Sequence, residues 1–326
     1  MSSLSHSPYI ETINYWRKAV KVKGVKLKFL LTKLIEIYSF KKKAAPLPCL
    51  EAAQDNYSEF AKPIKNSISE KARIGLVVPC YITNKESLKQ LERLYESIKK
   101  QKKQPDTVIF VDDCSTYKYD ENRFAGIITI HLEHNSGPAA ARNIGMEYAL
   151  SLDADIIAFT DSDCVLSPAW ISSIFKTFLD NQNAQILSGN TFSYVNSWFD
   201  KYHNLNGTLN GRIFKNKDYL LYGPTANFAI TSQVGISIEF DILFPNAAGE
   251  DIDFCFQANR KGFRTYFCRT MVVFHDYGYG NSFFENLKKF KKQFARYADG
   301  EKVLLLKNPS YYMYFEQTKE ISAIAQ

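Results

Sequence analysis

Residues 156–163 read Ile-Ile-Ala-Phe-Thr-Asp-Ser-Asp, an apolar run that stops at two carboxylates one residue apart. A short β-branched and aromatic run between polar flanks suits a strand buried on both faces, as in a parallel sheet. Extended backbone sends residues i and i+2 the same way, about 7 Å apart, so Asp161 and Asp163 can address one ligand. Hard carboxylate oxygens at a strand end suit Mg²⁺ or Mn²⁺ together with a bound phosphate. The competing reading is a helix cap. Ser167-Pro168 already supplies an N-cap and first position for the helix that follows, which leaves the pair without a structural task.

The flanking sequence repeats the strand-then-polar pattern. Ile74 to Pro79 and Thr107 to Val111 read as strands, the second running into Asp112-Asp113-Cys114-Ser115. Lys85 to Gln101 lies between them with apolar residues at helical spacing (Leu88, Leu91, Leu94, Tyr95, Ile98). Gly126 to Leu132 is a third strand, followed by His134 to Pro138 and a helix through Leu150. Alternating strands and helices predict a parallel α/β sheet covered on both faces, with its site beyond the carboxyl strand ends. The second half is less regular. A turn leads into a strand over Leu221 to Ile230, Gly249-Glu250-Asp251-Ile252-Asp253 opens a helix, and Arg264–Phe267 and Met271–Phe274 read as strands, the latter ending at His275. Asn286 to Tyr297 is a basic-aromatic helix.

Length and charge bound the rest. The 326 residues suffice for one large α/β domain with extensions. Residues 1–70 hold 12 Lys and Arg against 6 Asp and Glu, whereas the remainder holds 29 against 28. The body therefore lacks the basic bias of a dedicated nucleic-acid binder. Within 11–43, Ile13, Val20, Leu27 and Leu34 recur every seventh residue, interleaved with lysines. Such a segment can lie in an anionic membrane surface, form a short coiled coil, or pack on the main domain. Residues 44–70, with three prolines among polar residues, read as a linker. The expected organisation is thus an extension and linker over 1–70, a catalytic-type domain over 71–300 and a tail over 301–326. The six cysteines show no zinc-ligand spacing and suit a reducing, cytoplasmic setting. No signal peptide is apparent, and no apolar run reaches the roughly 18 residues needed to span a membrane.

Taken in order, the motifs resemble those of the family 2 glycosyltransferases, which have the Rossmann-like GT-A fold. They are V-V-P-C-Y at 77–81, V-D-D-C-S at 111–115, N-S-G-P-A-A-A-R-N-I-G at 135–145, D-S-D at 161–163 and G-E-D-I-D-F at 249–254, with His275 beyond. The resemblance covers about residues 73–300. Ile82 stands where the family commonly has Asn. The Q-x-x-R-W motif and the membrane spans of processive polysaccharide synthases are missing, which implies transfer of one sugar or a few.

The resemblance implies an inverting transfer from a nucleoside-diphosphate sugar, UDP or dTDP, to a glycan, lipid-linked or surface-polymer acceptor. Asp163, Asp161 and His275 would hold Mn²⁺ or Mg²⁺, and imidazole favours Mn²⁺. Asp251 would be the general base, with Glu250 and Asp253 orienting the acceptor or raising the pKa of the base. Pro79 and Tyr81 would wall the base pocket, Asp112 and Asp113 would meet the base, and Asp161 and Ser162 would lie along the bound nucleotide sugar. Gly137 would allow close backbone approach and Arg142 would contact the nucleotide or its phosphates. The helix at 286–297 and the segment at 11–43 suggest peripheral contact with the inner face of a membrane. The competing functions are a catalytically silent sugar-nucleotide-binding or scaffold protein of the same fold, and a nucleotidylyltransferase. The last would need a Gly-rich loop after the first strand, which 79–87 does not supply.

Overall fold

The computed structural model describes residues 60–244 and 248–323. The segment at 11–43 lies outside the described residues. Strands β1 (Ile74–Cys80), β2 (Thr107–Asp112), β3 (Ile128–His131) and β4 (Ile156–Thr160) form a parallel block in the order β3-β2-β1-β4. Helices α1 (Lys85–Lys99) and α2 (Pro138–Ser151) join them as crossovers. The apolar runs explain this placement. Ile74, Leu76 and Val78 enter one core cluster with Leu88, Leu91 and Leu94 of α1. Val77, Ile157 and Phe159 enter the other with Ala139, Ala141 and Met146 of α2. A period of two with both sets apolar fits only a strand covered on both faces.

Small residues let α2 approach closely. A β-carbon added at Gly145 would sit 2.3 Å from Val77 Cγ1, inside any permitted contact.

Beyond β4 the sheet becomes mixed. The order continues β9 (Asn227–Thr231), β6 (Ile186–Ser193), β10 (Thr265–His275), β8 (Leu220–Tyr222), β7 (Arg212–Phe214) and β11 (Thr318–Glu320), and β9 runs antiparallel between β4 and β6. β6 and β10 (Thr265–His275) are parallel, so both point the same way as β1, β2 and β4. The two strands expected over 264–274 are one, interrupted by a register shift between Cys268 and Val272. The carbonyl of Met271 in that irregularity accepts from the Asn227 side chain at 3.0 Å, which keeps a buried backbone group paired. Short β5 (Cys164–Leu166) pairs antiparallel with the end of β10 and folds the chain after Asp163 against His275. Helix α3 (Trp170–Asp180) begins two residues later than the expected Ser-Pro start, with Ala169 as its N-cap.

The remaining elements are α4 (Trp198–Asn206), β7 (Arg212–Phe214), β8 (Leu220–Tyr222), α5 (Ser232–Ser237), α6 (Glu250–Arg260), α7 (Phe283–Lys307), α8 (Tyr311–Phe315) and β11 (Thr318–Glu320). The packed region is wider than 71–300. Phe60 stacks on Tyr314 at 4.2 Å, and the Asn66 amide donates to the carbonyls of Phe178 and Ala184 at the end of α3. At the other end, β11 pairs with β7, and Val303 and Leu304 join a core cluster with Phe256. Residues 60–70, expected as linker, and the first part of the expected tail are built into the same body.

Candidate active site

The carboxyl ends of β1, β2, β4, β6 and β10 meet on one edge, and the acidic strand ends gather there. Asp161 and Asp163 follow β4, and half-buried Ser162 lies between them in the turn. His275 closes β10 and is the register partner of both Cys164 and Ser193. Its Nε2 lies 3.3 Å from Asp163 Oδ1. Ligand atoms of Asp163, Cys164 and His275 fall within 4.8 Å of one another, and Nδ1 of His275 is buried without a hydrogen-bond partner. Burial pushes the Asp163 carboxyl up to about 6, and His275 opposes the shift without cancelling it. A carboxylate so short of positive charge beside an imidazole fits a divalent cation.

Arg142 sits elsewhere than expected. Its guanidinium is 2% exposed and bridges two carboxylates, Nη1 donating to Glu250 Oε1 at 2.8 Å and Nη2 to Asp161 Oδ1 at 2.9 Å. The bridge ties the end of β4 to the first turn of α6 across α2. The planar guanidinium offers a separate N–H donor to each acid and keeps its charge when buried. Glu250 is equally buried, with Oε2 unpaired, so its carboxyl is raised by burial while Arg142 pulls it down. Asp251 is only half-buried and its pKa is pushed up to about 7, by burial first and by the neighbouring Glu250 charge second. A carboxylate tuned to neutral pH in the first turn of a helix is suited to proton abstraction.

Three expected contacts resolve differently. Asp253 is buried and faces α7, accepting from Lys307 Nζ at 2.8 Å and Asn308 Nδ2 at 2.7 Å. Two helical residues turn the chain about 200°, so Asp251 and Asp253 cannot share a target. Asp113 accepts from the backbone N–H of Ser136 and Gly137 at 2.6 and 2.9 Å, so it anchors the loop that opens α2. Gly137 is the N-cap of α2 with φ 86°, a conformation that favours glycine. Asp112 is held by Ser115 N–H and by His131, whose second ring nitrogen meets Glu121. Pro79 is half-buried at the end of β1, and Tyr81 beyond it leaves 45% of its surface exposed over the edge. Ile82, in place of a polar residue, is fully buried in the core.

One participant escaped the motif reading. Helix α7 packs its Phe290 and Phe294 against Phe199 and Tyr202 of α4. The same face carries a hydrogen-bond chain. Tyr279 O–H donates to Gln293 Oε1 at 3.2 Å, and Gln293 Nε2 donates to the Tyr297 oxygen at 2.8 Å. The Tyr279 oxygen therefore accepts from His203 Nε2–H at 2.8 Å, and His203 Nδ1 accepts from Thr208. His203 is neutral in this arrangement, its pKa lowered to about 3 chiefly by burial. The chain ends at Tyr297, whose own proton meets no acceptor among the described residues. Its pKa rises to about 12, mainly through burial, with added contributions from Asp251 and Asp161. Gln293-Phe294-Ala295-Arg296-Tyr297 keeps the spacing of Q-x-x-R-W with Tyr for Trp, and that near match was the available signal.

The sequence profile of the glycosyl transferase family 2 matches residues 76–241. The chain belongs to that family. It is 38% identical over 77 residues to a pre-mycofactocin glycosyltransferase of Mycobacterium tuberculosis, covering 22% of this chain and 16% of that one. It is 32% identical over 108 residues to the dTDP-rhamnosyl transferase RfbF of Shigella flexneri, covering 32% and 35%. The matched segments thus span about a third or less of these relatives. Among solved structures, S. aureus TarS shares 20% identity at a TM-score of 0.48, covering 63% of this chain and 36% of that one. TarS 1–349 in complex with UDP-GlcNAc shares 18% at 0.47, covering 71% and 70%.

Proposed function

We propose that this chain is an inverting, metal-dependent glycosyltransferase. It moves a sugar from a nucleoside diphosphate, UDP or dTDP, to a hydroxyl of a glycan, lipid-linked or surface-polymer acceptor. The observation that carries the reading is Asp251, poised near neutral pH at the head of α6, which the Arg142 bridge ties to the Asp161 strand end. Asp251 takes the acceptor's hydroxyl proton, the oxygen forms its bond to the anomeric carbon, and the bond from that carbon to the diphosphate oxygen breaks. A divalent ion held by Asp163, His275 and Asp161 would neutralise the departing diphosphate as a Lewis acid. Glu250 holds Arg142, and through it Asp161, rather than touching substrate. Tyr81 offers its free ring face to the nucleotide base beside Pro79, and Asp112 and Asp113 shape that corner by fixing its loops. The name of RfbF supports a dTDP-sugar as one candidate donor.

The proposed setting is the cytoplasm, at the inner face of the cell membrane. All five described cysteines are free, in keeping with a reducing compartment. No helix among the described residues is long and apolar enough to cross a membrane.

The test is sugar release from UDP-, GDP- and dTDP-sugars with Mn²⁺, beside Asp163→Ala and Asp251→Asn. Slow hydrolysis of one donor, abolished by a chelator and by Asp163→Ala, is expected. Failure to bind any of these nucleotides would overturn the reading.

A further inference from the structure

Helix α7 has more apolar and basic surface than its packing uses. Its inward residues, Phe290 and Phe294, account for its place in the fold. At its start, Phe284 is 79% exposed and Phe283 is 49% exposed. Phe283 still packs its ring on Phe199 at 5.6 Å, whereas Phe284 leaves most of its ring in water. Phe284, Lys288, Lys292 and Arg296 form an i, i+4 row along the outward face, with Lys291 beside it, all of them exposed. Over 283–298 the one acid is Glu285, also exposed, against five basic residues.

We propose that this face of α7 docks on an anionic lipid bilayer, with Phe283 and Phe284 entering the headgroup boundary and the lysine row lying above them. The occupant follows from the chemistry. Aromatic residues at one end of a helix and lysines on the adjoining turns match a surface that is apolar beneath and negative above. A protein partner would more often be met by mixed charge, whereas here positive charge stands almost alone. The same helix is joined to α6, which Glu250 and Asp251 open, through the Lys307–Asp253 pair, and the charges of Asp251 and Asp161 act on its Tyr297. Docking would therefore bring the bilayer to the acceptor side of the cleft. This orientation rests on the transferase reading, but the docking itself does not.

The test is flotation of the full chain with phosphatidylglycerol vesicles and with phosphatidylcholine vesicles. The wild-type chain is expected to float with phosphatidylglycerol, less so as salt rises, and weakly with phosphatidylcholine. The triple change Lys288→Gln, Lys291→Gln, Lys292→Gln should weaken partitioning by at least about tenfold, given what each basic residue contributes near a charged surface. Phe284→Ser should weaken it as well. Phe284→Trp should gain a blue-shifted emission component over wild type when phosphatidylglycerol vesicles are added. Vesicle binding unchanged by both sets of substitutions would overturn the proposal, as would equal binding to both lipids or none to either. Capture by soluble polyphosphate in preference to vesicles would also overturn it. None of these readouts uses turnover, so a chain without transferase activity can still pass, and an active one can fail.

Discussion

Asp251, the proposed base, is the residue on which the proposed chemistry and stability pull in opposite directions. Its folded pKa, about 7, lies above the roughly 4 of an unfolded aspartate. A raised carboxyl costs nothing below about pH 4, and its ionisation weakens the fold progressively up to about pH 7 and by a constant amount above. Asp251→Asn should therefore melt at higher temperature than wild type at neutral and alkaline pH, with the gain vanishing near pH 4. The same substitution should lower turnover by about 10²–10⁴-fold. Wild-type kcat/KM should fall as pH drops through 7, because a protonated Asp251 cannot accept. Calorimetry and rate profiles across that range check both. Arg142 behaves in the reverse sense. Arg142→Met strands Glu250 and Asp161, a loss of about 3–5 kcal/mol. Urea denaturation should show the loss shrinking as pH falls, because Glu250, its carboxyl already raised by burial, takes up a proton instead.

At the scale of elements, α6 and α7 are clasped by Asp253, which accepts from Lys307 and Asn308 where α7 ends. Lys307 also meets Asp241, so one lysine joins three segments. Asp253→Ala should cost about 2 kcal/mol in denaturant, since Lys307 is still partly solvated and keeps Asp241. Turnover per folded molecule should change little, in contrast to Asp251→Asn, and measuring the pair separates a clasp from a catalytic acid. The acidic run at 250–253 was legible as important, but its division of labour was not. Helix geometry alone predicts that 251 and 253 face apart, while which of them is tied up by a neighbour depends on where α7 lies. The β4 end, by contrast, needed only its own residues. A doubly apolar run must be buried on both faces, and the acids after it then emerge at the sheet edge.

At the scale of the molecule, the body reaches back to Phe60. Compared with a chain starting at 60, one starting at 71 loses the Phe60 stack and the Asn66 bonds to the end of α3. The expected difference is at least about 3 kcal/mol, read from denaturation midpoints of the two truncations. Prolines among polar residues read as a linker because no local pattern announces a strap whose partners lie over a hundred positions away.

The sequence by itself determined the parallel βαβ block, the edge on which the acids collect, and the family, because these follow from alternation, apolar runs and short motifs. Only the tertiary structure decided how those acids are partnered. It turned Asp253 toward Lys307, bound both oxygens of Asp113 to backbone amides, and set Arg142 between Asp161 and Glu250. It also brought Tyr297 of α7 within the field of Asp251. Each of these depends on pairing across long separations, where a side chain's partner is chosen by packing and the demand that every buried charge be matched.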